Sequence, residues 1–81
     1  MTTFERLGIV RDLSKLLGVI NVKTGEYDGD SDSIPCSFTI KDNPVELLLG
    51  RFSVVVISKA KGKIIYYHES FNIVKDIMSA V

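Results

Sequence analysis

Few residues in this sequence are of a type that does chemistry, and their spacing decides how far each can go. Asp28, Asp30 and Asp32 alternate through Asp28-Gly29-Asp30-Ser31-Asp32-Ser33. That is the spacing with which the first half of a calcium loop brings carboxylates to one hard cation. Such a loop also needs glycine at its sixth position and glutamate at its twelfth, where this chain has Ser33 and Thr39, with no second helix to follow. The stretch reads instead as a solvated hairpin tip, and no metal or other cofactor is assigned.

His68 and Glu69 are adjacent, but neighbours on a strand point to opposite faces and cannot share a proton. The chain holds one cysteine and one histidine, so a nucleophile pair could only be Cys36 with His68. Cys36 stands among Ile34, Phe38 and Ile40 on an apolar face, where a thiol is usually inert. No Gly-x-Ser-x-Gly elbow, Walker loop or Gly-x-Gly-x-x-Gly turn occurs. The expectation is therefore that the chain is not an enzyme. The alternative is a small enzyme or ligand-binding domain built from carboxylates and tyrosines in an unrecognised pocket.

Lys59, Lys61 and Lys63 form the one basic cluster, with Tyr66 and Tyr67 just beyond. Lysines can track phosphates and tyrosines can stack on bases, so a nucleic-acid contact at this hairpin tip is an alternative function. Against it, ten basic and ten acidic residues cancel, leaving no field toward nucleic acid or anionic lipid. The favoured reading of the lysines is a solubilising turn that guards a sheet edge.

The elements that would position these residues follow from periodicity. From Thr3 to Leu17, residues Ile9, Val10, Leu13, Leu16, Leu17 and Ile20 fall in one helical arc, with charged residues opposite. Thr2 and Glu5 have capping-box spacing, and Gly18 suits a left-handed stop. Val19 to Lys23 is a short strand on which Glu26 to Asp28 would pair back across Thr24-Gly25. Ile34 to Ile40 alternates throughout, and Pro35 favours an edge position or a place among the strand's first residues.

Asn43, Pro44 and Glu46 make a helix-start signal, so Val45 to Leu49 reads slightly better as a short covering helix than as the strand of a meander. The strongest strand is Arg51 to Ser58, whose run Val54-Val55-Val56-Ile57 reads as a central strand covered on both faces. Lys59 to Gly62 closes a hairpin to Lys63 through Glu69. Ser70 then caps a last helix with the stripe Phe71, Val74, Ile77, Met78 and Val81.

These elements predict one α+β domain over residues 1–81, an antiparallel sheet of four to five strands with N- and C-terminal helices packed on one face. A domain of 81 residues buries only about 60% of its unfolded surface. Yet 46% of its residues are apolar and its mean hydropathy is +0.22, a surplus for which a partner surface is the natural outlet. One thiol fits a reducing, cytoplasmic compartment. Charges within Met1 to Leu17 interrupt any signal core, and no apolar run approaches the roughly 20 residues of a membrane span.

Two helices on one side leave apolar residues on the other needing cover, either Val54 and Val56 or Val55 and Ile57. The expected function is a small non-enzymatic protein-binding module, an adaptor, inhibitor or chaperone-like protein. Its expected partner is itself, as a homodimer, or a larger protein. The interaction residues expected from sequence are Val54, Val56, Leu47, Leu49, Tyr66 and Tyr67. The element order is similar to that of the small dimeric chaperones of bacterial secretion systems, which wrap an effector segment around an α+β dimer. That likeness is one of topology, and no residue is carried over from it.

Overall fold

Consecutive hairpins build the sheet. In a computed structural model, which describes residues 1–67 and 72–81, the chain runs α1 (Thr3–Ser14), β1 (Val19–Thr24), β2 (Ser33–Ile40), β3 (Asn43–Gly50), β4 (Ser53–Ser58), β5 (Gly62–Tyr67) and α2 (Ile73–Ser79). The five strands pair antiparallel in chain order, β1-β2-β3-β4-β5. Buried residues Ile9 and Leu13 of α1, Ile77 of α2 and Ala80 just past the end of α2 join one core with Phe38, Leu47, Leu49, Val54 and Val56. The fold is therefore α+β, with both helices on the same face of the sheet.

The expected helix over Val45 to Leu49 is a strand. Val45, Leu47 and Leu49 are buried and Glu46 and Leu48 are exposed, the period of two that a pleated strand requires. Every residue of β3 finds a partner on β2, from Ser33 opposite Gly50 to Ile40 opposite Asn43. Asn43 therefore caps nothing. The turn before it is Lys41-Asp42, with φ of 51° and 62°, the doubly left-handed backbone of a type I′ hairpin. A strand and no helix stands between β2 and β4, which changes the element order on which the chaperone resemblance rests.

Other expectations shift for local reasons. The Thr2 and Glu5 capping box forms, with the Glu5 amide donating to the Thr2 hydroxyl at 3.1 Å. The helix it opens ends at Ser14, so Leu17 lies beyond it and is 99% exposed, and Ile20 belongs to β1. Gly18 does take a left-handed φ of 87°. Arg6, a charged residue, is 4% exposed on the inner side of α1. Its guanidinium donates to the carbonyls of Met1, Asp32 and Leu49 and pairs with the Asp32 carboxylate at 3.1 Å, so burial leaves it no orphaned donor.

Glu26 to Asp28 does not pair back on β1. β1 pairs with β2 instead, and the connection closes on itself through mutual Asp28 and Ser33 backbone bonds. Pro35 lies on an interior strand, as its third residue. Its carbonyl accepts from the Gly25 amide at 2.8 Å, just past the end of β1. Amide and carbonyl of one strand residue face the same neighbour, so the donor that proline lacks falls where β1 has stopped. Gly25 is required there, because a Cβ would sit 2.7 Å from the Pro35 ring. The Ser70 cap and Phe71 lie outside the described residues, as do His68 and Glu69. Within the described residues Asn72 caps α2, its side chain accepting from the Lys75 amide at 3.0 Å.

Candidate protein-docking face

The valine run divides between two environments. Register fixes which: Leu49 pairs with Val54, Leu47 with Val56 and Val45 with Ser58, all turned toward the helices. Val54 and Val56 are completely buried, while Val55 is half-buried and Ile57 is 37% exposed. The strand lies inside the sheet, between β3 and β5, but it is covered on one face only.

This assigns the interaction residues expected from sequence. Leu47, Leu49, Val54 and Val56 are core residues, each at most 1% exposed, and present nothing to a partner. Tyr66 is opposite Val54 and packs against the same core, whereas Tyr67 is opposite Ser53 on the other face and is 63% exposed. The apolar residues that do face outward are the in-between ones, the second of the two sets that sequence leaves open.

The outer face has a clear row structure. Across four strands, Pro35 pairs with Leu48, Leu48 with Val55 and Val55 with Ile65, an unbroken apolar ladder. One row along, Ser37 pairs with Glu46, Glu46 with Ile57 and Ile57 with Lys63, while Lys23 flanks Ser37. In the row on the other side stand Ser33, Gly50, Ser53 and Tyr67, three of them small. The ladder therefore rises as a ridge between two shallow grooves. One, of about 460 Å³, is lined by Lys23, Ser37, Glu46 and Ile57; the other, of about 500 Å³, by Ser33, Gly50, Ser53 and Val55. Leu48 and Pro35 border both.

The polar candidates are drawn apart rather than together. Asp28 accepts from the Asp30 amide, and Asp32 accepts from the Tyr27 hydroxyl at 2.7 Å and from Arg6, so these carboxylates serve the turn and the helix. The Tyr27 hydroxyl, and after it the Arg6 guanidinium, hold the Asp32 carboxyl below the usual aspartate range. Among the described residues no cluster of metal-ligating side chains is found. Burial pushes the Cys36 thiol up, which keeps it protonated and a poor nucleophile.

The three lysines diverge. Lys61 extends its ammonium to the Ser79 carbonyl at 2.7 Å, at the C-terminal end of α2 where a cation suits the helix dipole. Lys59 borders a small crevice with Met78 and Val81, and Lys63 lies on the outer sheet face. The hairpin that carries them turns at Gly62, whose φ of 69° a side chain would strain.

Comparison of the chain with family models, curated proteins and solved structures finds no significant match. No helix among the described residues is long and apolar enough to cross a membrane.

Proposed function

We propose that this chain is a small non-enzymatic protein-binding module of the cytoplasm, acting as a homodimer and presenting the outer face of its sheet to a larger protein. The observation that carries the reading is the ladder Pro35, Leu48, Val55 and Ile65, which crosses four strands on the side away from both helices. Apolar side chains in water gain about 25 cal/mol for each Å² a partner covers. Leu48, Ile57, Ile65 and Tyr67, between 37% and 63% exposed, are placed to make that gain together. A formal net charge of zero leaves little repulsion between copies.

The test compares the protein with a Leu48→Gln/Ile57→Gln double variant, whose fold these outward positions should leave intact. The parent should enhance the fluorescence of an apolar dye and retain a protein in affinity purification that the variant releases. Absent dye binding, or the same proteins retained by both, would contradict the docking face.

A further inference from the structure

The two edges of the sheet are built differently. β1 is blunted: its register to β2 shifts between Ile20 and Lys23, and Asn21 in the gap takes a left-handed φ of 57°. Bulges of this kind turn an edge away from further pairing. β5 pairs without interruption to β4, from Gly62 to Tyr67, and carries Ile64-Ile65-Tyr66-Tyr67 in succession. Among the described residues no strand pairs on its other side. Its one charge, Lys63, sits near the start of the strand and leaves the rest unguarded.

We infer that the β5 edge is a dimer seam, pairing antiparallel with β5 of a second copy about a two-fold axis through Ile65, to give one continuous ten-stranded sheet. This rests on the proposed homodimer and specifies how it is made. A two-fold axis normal to the sheet keeps inner residues opposite inner ones and outer opposite outer, so it passes through a residue and not between two.

Axes through Ile64 and through Ile65 each pair five of the six β5 residues, and the one through Ile65 sets a side chain at every paired position and leaves out only Gly62. With the axis there, Ile65 meets its own copy and Lys63 meets Tyr67 on the outer face, while Ile64 meets Tyr66 on the inner face. Lys63 then lies against an aromatic ring instead of a second lysine, which removes the repulsion by which edge lysines block pairing. An axis through Ile64 leaves Tyr67 unpaired and sets Gly62 against Tyr66. The seam also joins the two outer ladders end to end, because Ile65 terminates each. A partner protein would meet one apolar row spanning both copies.

Light scattering at tens of micromolar should give twice the 9.0 kDa chain mass. Opposed residues on antiparallel strands have Cα atoms roughly 4.5–5.5 Å apart, within disulfide range. An Ile65→Cys variant should therefore oxidise to a covalent dimer. Lys63→Cys should not, since its own copy would lie about 13 Å along the strand. The parent, whose Cys36 is buried, is the control.

Ile65→Lys sets two lysines face to face on the axis and should give a folded monomer by circular dichroism, while Leu48→Gln/Ile57→Gln should stay dimeric. A dimer that survives Ile65→Lys, fails to cross-link through Ile65→Cys, or dissociates in the outer-face variant would overturn the seam. A monomeric parent would overturn it too. Dye binding and affinity purification would still judge the docking face separately.

Discussion

Val54 and Val55 are the same amino acid, adjacent in one strand, and they do opposite work. Val54 is wholly buried against Leu49 and Tyr66 in the layer shared with the helices. Val55 stands between Leu48 and Ile65 on the side without helices. The inner face spends its apolar residues on folding. The outer face carries the ladder Pro35, Leu48, Val55 and Ile65 with no helix over it, and it is this ladder that the proposed function assigns to association. What separates them is register, which turns alternate residues of the same strand toward or away from α1 and α2.

The largest effect should come from the neighbouring leucines of β3. Leu49→Ala removes a fully buried side chain and should cost about 2–5 kcal/mol, a large share of the roughly 5–15 kcal/mol typical of a domain. Leu48→Ala, one residue away on the outer face, should cost less than about 1 kcal/mol. Equal losses in denaturant unfolding would erase the distinction between the faces.

Ser58 should come next. It is the polar member of the inner row, and its hydroxyl donates to the Ala80 carbonyl at 2.7 Å and accepts from the Lys61 amide, tying the β4–β5 hairpin to α2. Ser58→Ala leaves a buried carbonyl unpaired and should cost roughly 1–3 kcal/mol in the same measurement. A gain is expected from Lys41→Asn with Asp42→Gly, which gives the left-handed turn the residues it favours. It should raise stability by about 1 kcal/mol, and a loss would mean that the hairpin register is not the one described.

The smallest effect is confined to acid. Because the folded carboxyl of Asp32 is held low, its contribution is complete above the ordinary aspartate value of about 3.9 and is lost as pH falls through the lower folded value. Tyr27→Phe removes the main cause. Asp32 should then titrate nearer its ordinary value, and acid unfolding should begin at higher pH. An unchanged carboxyl titration by NMR would separate Asp32 from Tyr27.

Much of this architecture is legible in the residues. The alternation of Ile34, Cys36, Phe38 and Ile40 marks β2, and Thr2 with Glu5 marks the start of α1. β3 is hidden because its turn, Lys41-Asp42, adopts a left-handed backbone without glycine, while Asn43-Pro44 imitates the start of a helix. Arg6 is hidden because sequence shows its charge and not the carbonyls that receive it. Four identical-looking β-branched residues carry no sign of which pair faces in. Only their pairing with Leu47 and Leu49 decides that, which is why sequence leaves both sets open and names Val54 and Val56, the inward pair, among the interaction residues.

The most direct test is an isosteric pair, Val54→Thr and Val55→Thr, unfolded in denaturant side by side. Each change keeps the branched shape and replaces one methyl with a hydroxyl. A loss of roughly 1–3 kcal/mol is expected at position 54, where the hydroxyl is buried, and a change within about 0.5 kcal/mol at position 55. A loss at 55 equal to that at 54 would mean that the outer face is part of the core, and would contradict the division on which the docking face depends.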